Sequence, residues 1–373
     1  MKNYLSLEVA ATLGEMISNE YSSFDQQAFI DEITPDYEEL SIKERAFRIA
    51  AGFNHCLPKD YPEAIQILIN ALPPSFADEE DIALNGLRFW PFACFIEAYG
   101  LDDLETSFHG MYAVTQRFSA EFAIRPFLLR YPSKVFDRLN VWASDESLHV
   151  RRLVSEGTRP RLPWGARLPV YLDGEANIIP LLSKLKNDAE LYVRRSVANH
   201  FNDLTKDHPE VVLDLFESWS KDDERTNWVI KHSLRSLIKA GNQRALSLLG
   251  FKPVNVEVQA FSAKPGTLSI GENLELSLSI ENRGSETASL AVDFVVHYMK
   301  ANGKTSAKVF KWATPKLAPG EALSLSKKVL LVQRSTRKLY PGKHKVEVQI
   351  NGNRFIPLRK KKVNYKKINI THK

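Results

Sequence analysis

Near residue 250 the hydrophobic period of this 373-residue chain changes, which restricts it to folds with two differently built parts. Before that point apolar residues recur three and four apart, as in Phe29, Ile30 and Ile33, or Ile65, Leu68, Ile69 and Leu72. That spacing lines one face of a helix, and turn signals such as LPPSF and RYPS separate one helix from the next. After it, KPVNVEVQAF, ENLELSLSIEN, LAVDFVVHYM, EALSLSKKVLLV and KHKVEVQING alternate or run β-branched, divided by SIGEN, ENRGS, LAPGE and LYPGK. Six or seven strands in about 110 residues predict an antiparallel sandwich of immunoglobulin type. The boundary is expected near Lys252 to Val254, giving an all-α domain over 1–253 and an all-β domain over 254–373.

The helical part repeats itself weakly. ASDESLHVRRLVSEG and KNDAELYVRRSVANH share an acidic lead, an aromatic residue or His, Val-Arg-Arg and an apolar continuation, with Val150 and Val193 43 residues apart. DDERTNWVIKHSLRSLIKAG is a looser third copy, with Ile230 37 residues after Val193. A period of this size with two helices per repeat is that of HEAT-type solenoids, which bury a continuous seam and leave a concave face for a partner.

Charge is distributed unevenly. From Lys300 to Lys373 there are 20 Lys and Arg against 2 Asp and Glu, while residues 1–299 carry 30 against 43. A basic end on a mildly acidic body suggests a polyanionic partner, although a basic domain kept soluble by its charge has the same composition. No apolar run reaches 18 residues, so no membrane span is expected, and MKNYLSLEVAATLGEMISNEY lacks the basic start and cleavage site of a signal peptide. A cytoplasmic, monomeric protein is expected. Cys56 and Cys94, the only cysteines, sit in apolar stretches without metal-ligand spacing, so two buried thiols are expected and no metal or cofactor.

On a helical wheel, Val193, Val197, Phe201 and Leu204 form one apolar stripe, with a helix end near Lys206 ahead of Pro209. Arg195, Asn199, Asn202 and Asp203 fall on the other side, away from the expected core. Arginine forks and asparagines there suit phosphate oxygens. Asp203 does not: it is either an ion-pair partner for Arg195 or a functional group. Glu121 lies among Phe118, Phe122 and Ile124 on an expected helix, with Arg125 one turn on as a partner. In HVRRLVSEGTRPRLPWGARLP, Arg151, Arg152, Arg159, Arg161 and Arg167 surround Glu156 and Trp164, a surface suited to phosphate and stacking unless Trp164 merely anchors its loop in the seam. Carboxylates and an indole on a basic concave face suit cleavage of an N-glycosidic bond, which passes through a flat, cationic sugar.

The motifs EFAIRPF, VRRLVSEGTRPRLPW, YVRRSVANHFNDLTKDHP and WVIKHSLRSLIKAG resemble those of the bacterial AlkC-type DNA alkylation repair glycosylases, a branch of the HEAT-like-repeat superfamily that also contains AlkD. The basic sandwich is similar to the Ig-like domain carried by a subset of AlkC proteins. The resemblance implies double-stranded DNA containing alkylated bases as partner, and excision of cationic N3-methylated bases, 3-methyladenine and 3-methylcytosine, without a conventional base-flipping pocket. It also implies a catalytic set of Asp203, Glu121, Glu156 and Trp164, with Asp203 leading. The DNA-binding residues expected beside it are Arg152 and Arg159 as phosphate clamps, then Arg161, Arg195, Asn199 and Lys231, and in the basic domain Arg334, Arg337 and Lys338 within Val332–Lys345. The competing reading is a non-catalytic HEAT-repeat protein that binds bent or branched DNA; a protein-interaction scaffold explains the arginine-rich loop poorly.

Overall fold

The computed structural model describes residues 2–219, 222–334, 337–355 and 366–371. Helices fill the chain up to Leu248. They begin with α1 (Leu7–Glu20), α2 (Gln26–Ile33), α3 (Ile42–Cys56), α4 (Tyr61–Asn70), α5 (Glu79–Asn85), α6 (Trp90–Tyr99), α7 (Leu104–Thr115), α8 (Ile124–Arg130) and α9 (Pro132–Trp142). Ser6, Asp25, Ser41, Asp60, Asp78 and Asp103 each accept a hydrogen bond from a backbone N–H of the first turn that follows them, which fixes six of these starts. Ser41 and Glu44 complete a reciprocal capping box. Phe29 stacks on Phe53 at 5.5 Å between centroids and Phe53 meets Phe92 edge-on, so α2, α3 and α6 share one aromatic core.

The repeat appears in the next helices, α10 (Leu148–Glu156), α11 (Ile178–Leu185), α12 (Leu191–Leu204), α13 (Pro209–Ser218), α14 (Glu224–Ser233), α15 (Arg235–Ala240) and α16 (Gln243–Leu248). α12 packs against α10 on one flank and α14 on the other. Its stripe of Val193, Val197, Phe201 and Leu204 is buried as the wheel requires, and the helix ends at Leu204. The opposite side is not the solvated face expected: Asn202 and Asp203 are buried too, because neighbours cover both flanks, and the Asn202 amide donates to the Ser233 carbonyl of α14 at 2.7 Å. The first arginine of each Val-Arg-Arg copy is a staple. Arg151 donates to the Asp145 and Glu146 carbonyls, and Arg194 donates in the same way to those of Asp188 and Ala189. Arg151 also grips the Asp188 carboxylate with two nitrogens, at 2.7 and 3.1 Å, tying its own repeat to the next. No described helix is long and apolar enough to cross a membrane.

The strands are β1 (Val256–Lys264), β2 (Thr267–Ser269), β3 (Asn273–Asn282), β4 (Ala288–Ser289), β5 (Val292–Met299), β6 (Thr305–Ala313), β7 (Lys316–Leu317), β8 (Ala322–Leu330), β9 (Gly342–Ile350), β10 (Asn353–Phe355) and β11 (Lys366–Thr371). One sheet runs β1-β3-β8 and the other β2-β11-β9-β5-β6, with β10 on β9 and a separate β4-β7 pair. Leu274, Leu276, Leu278 and Ile280 alternate inward on β3 and meet Phe294, Val296, Val346 and Val348 in the core. One pairing departs from the antiparallel expectation: β11 runs parallel to the short β2.

Secondary structure changes between Leu248 and Val256, but compactness divides the chain elsewhere. One unit is Met1–His208 with Ser220–Ser233, and the other Pro209–Trp219 with Leu234–Lys373. Thus α13, α15 and α16 belong with the sandwich rather than with the helices before them, unlike a single cut at 253. Within that second unit the reasons are local. Buried Asn351 donates to the Lys252 and Ser289 carbonyls and accepts from the Ala291 N–H, fastening the linker to the sandwich. Gly241 ends α15 in a left-handed conformation with its α-carbon so close to Gly352 that an added methyl group would lie 2.6 Å from the Gly352 carbonyl oxygen. Arg244 joins α16 to α13 through Glu210, Asp214 and Glu217.

Arg151→Met removes two backbone staples and strands the buried Asp188 carboxylate, so it is expected to destabilise the helical unit by about 2–4 kcal/mol in denaturant unfolding. An unfolding midpoint equal to wild type would contradict the stapling role.

Candidate active site

Glu121, Glu156 and Asp203 come from the turn before α8, the last residue of α10 and the last turn of α12, and arginines join them into one chain of alternating charge. Arg152 donates to Glu121 at 2.9 Å and lies 3.8 Å from Glu156. Arg159 then takes Glu156 at 2.6 Å through Nη1 and Asp203 at 3.0 Å through Nε. Lys206 closes the series on the other Asp203 oxygen at 2.9 Å. Buried acids in such proximity repel unless cations stand between them, so the arginines are what allow the three to converge. The Ser196 hydroxyl donates to the second Glu156 oxygen at 2.6 Å, and the Ser119 hydroxyl accepts from Arg152. Arg152 also rests on the Tyr192 ring, 4.6 Å from its centroid.

The loop after α10 is shaped by a second arginine. Arg125, buried on α8, donates to the carbonyls of Gly157 and Arg159 at 3.0 Å each and to that of Ala166. Leu162 and Leu168 anchor the loop in the core, whereas Trp164 is 63% exposed and adopts φ +65°. A bulky aromatic in the left-handed region is a strained conformation that its surroundings must hold, and the indole shown to solvent contributes little packing. The alternative in which Trp164 anchors the loop is therefore set aside.

Burial raises the Glu156 acid, but Arg152, Arg159 and the Ser196 hydrogen bond outweigh it and hold the group below the usual carboxylate range. Burial likewise lowers Arg159, and its two carboxylates more than compensate, raising it. Beneath the cluster His200 is fully buried with Nδ1 at 3.0 Å from the Ser155 carbonyl, and burial pushes its pKa down to about 4.

Several expected partners are exchanged. Glu121 sits in a turn rather than a helix and pairs with Arg152; Arg125 serves backbone carbonyls instead. Arg195 pairs with Glu79 at 2.6 Å, not with Asp203, and Asp203 is neutralised in this structure rather than left open. Arg152 and Arg159, expected as phosphate clamps, are instead counter-charges of the acids, Arg152 half-buried and Arg159 buried. Arg161 is half-exposed and bound to Asp207, Asn199 is half-buried, and Lys231 is exposed. In the second unit Arg334 and Lys338 are exposed, but Arg337 lies 4.3 Å from the Tyr298 centroid and is half-buried. Ser335 and Thr336 of the same basic stretch lie outside the described residues, as do 356–365 and 372–373 of the span given to the β domain. Cys94 is buried and Cys56 only half-buried. Arg125, Ser196 and Lys206 were missed as site residues; EFAIRPF and the lysine three residues after Asp203 were the available signals.

The geometry defines a helical-repeat protein with converging acids and a C-terminal β domain, and comparison with known proteins agrees. The family model for the C-terminal Ig-like domain of YhaZ matches residues 257–359. An uncharacterized protein, YhaZ of Bacillus subtilis (strain 168), is 34% identical over 354 residues, covering 94% of this chain and 96% of the relative. The solved structure of Pseudomonas fluorescens alkylpurine DNA glycosylase AlkC, bound to DNA containing an abasic site analog, is 35% identical with a TM-score of 0.89 over 99% of each chain. The chain belongs to the AlkC family, together with YhaZ.

His200 in the unfolded chain titrates near ~6.5, so its folded value of about 4 gives stability that is complete above the unfolded pKa and lost as pH falls towards the folded one. The depressed Glu156 acid acts in the same direction at lower pH, its contribution present above ~4.3 and lost below. Unfolding free energy is thus expected to fall from pH 7 to 4, and His200→Gln to flatten that fall by on the order of 3 kcal/mol. Parallel profiles for both proteins would contradict this.

Proposed function

We propose that this chain is a monofunctional DNA glycosylase that excises cationic alkylated bases, 3-methyladenine and 3-methylcytosine, by hydrolysis of the N-glycosidic bond in base excision repair. The observation that carries the reading is the convergence of Glu121, Glu156 and Asp203 beside the Trp164 loop, in a chain 35% identical to AlkC. A cationic base leaves as a neutral molecule: the C1′–N bond breaks, its electron pair goes to the base, and the sugar becomes an oxocarbenium ion. Water adds to C1′ and gives up a proton, leaving an abasic sugar. The acids supply the negative field for that cation, Asp203 first, with Glu156 and Glu121 behind it. Trp164 offers an indole face to the lesion nucleotide. Little acid catalysis at the base is needed, and no conventional base-flipping pocket enters this mechanism.

A non-catalytic DNA-binding solenoid is the weaker reading. Such a protein needs its arginines free for phosphate, whereas here Arg152 and Arg159 are committed to the carboxylates of Glu121, Glu156 and Asp203. DNA contact falls instead to exposed groups: Lys231 on α14, and Arg334 and Lys338 in the basic second unit. The protein would act as a cytoplasmic monomer on double-stranded DNA.

Incubation with methylated duplex DNA should release 3-methyladenine and leave abasic sites; no released base from active-concentration protein would reject the enzymatic reading. Arg334→Glu with Lys338→Glu should weaken DNA binding and reduce the slope of log affinity against log salt by about 2. An unchanged slope would remove this surface from the interface.

A further inference from the structure

Asp203 lies in the last turn of α12, where the helix dipole presents its negative end, and it is also buried. Both conditions disfavour an anion, so two cations hold it. They are not equivalent. Arg159 is buried and binds Glu156 and Asp203 together, so its departure would leave two enclosed acids facing each other. Lys206 touches Asp203 alone, from just beyond the helix end, and its side chain is 40% exposed against 4% for Asp203. The pair is thus part-buried with its ammonium on the solvent side, which makes Lys206 the more easily withdrawn of the two cations.

We propose that Lys206 is a displaceable counter-ion: in the free protein its ammonium occupies the place beside Asp203 Oδ1 that the positive charge of the reacting nucleotide takes, and DNA binding draws it onto a backbone phosphate. This rests on the glycosylase reading above. The exchange is selective. A cationic nucleotide replaces the lysine charge for charge, whereas beside a neutral one the ammonium stays on Asp203, so Lys206 competes with the charge of the lesion and lowers the preference of the site for it. The Nζ atom has the reach and exposure for this, while the buried Arg159 guanidinium does not.

The test compares two duplexes that differ in charge at the lesion, one with a pyrrolidine abasic analogue, cationic at neutral pH, and one with the neutral tetrahydrofuran analogue. Lys206→Met removes the competitor for the cation and also a phosphate contact, so the preference for pyrrolidine over tetrahydrofuran should rise about three- to tenfold. Lys206→Gln should behave like the methionine variant, and Lys206→Arg should restore the wild-type preference. An unchanged or smaller preference in both neutral variants overturns the proposal. Failure of the wild type to release methylated bases or to prefer either abasic duplex over intact DNA marks failure of the glycosylase reading instead.

Discussion

Arg159 is the group on which the site depends. Its guanidinium sits between Glu156 and Asp203, each on a different helix of the repeat row, and without it two buried acids could not share that space. The fork geometry of arginine is essential, since one planar cation reaches both carboxylates at hydrogen-bond distance from different nitrogens. Arg152 extends the arrangement to Glu121. The result is a line of acids held at short spacing inside a folded protein, most open to solvent at its Lys206 end.

Around this line the repeat supplies rigidity. Arg151 and Arg194 each close the turn before their helix, so α10 and α12 start in register, and Arg151 reaches across to Asp188. Arg125 does the corresponding work for the irregular loop by gathering three of its carbonyls. That leaves Trp164 free to project while its neighbours Leu162 and Leu168 are anchored. Local strain at Trp164 is thus supported by contacts that Trp164 itself does not make.

The helical and β parts, the end of α12 and the 43-residue repeat were legible because each is written in short-range pattern: period, cap and breaker. The candidate residues Glu121, Glu156, Trp164 and Asp203 stand out in the sequence by being chemically out of place. Their partners were not legible. A wheel drawn for α12 alone treats the side away from its stripe as solvent, but α10 and α14 flank it, so Asp203 is buried. Likewise Arg125 is four residues from Glu121 along the sequence, while the arginine that pairs with Glu121 is Arg152, 31 residues on. Ion pairing across 31 to 44 residues is set by how the repeats stack, which no local pattern encodes. The division that places α13, α15 and α16 with the sandwich has the same origin, in contacts such as Gly241 with Gly352.

The central claim is that the enclosed negative charge at Asp203 serves the chemistry rather than the fold alone. Single-turnover release of 3-methyladenine by Asp203→Asn, with the unfolding midpoint taken on the same sample, tests it most directly. The account predicts a rate lowered about 100-fold or more in a protein that still unfolds cooperatively near the wild-type midpoint. A variant that keeps the full rate would contradict it.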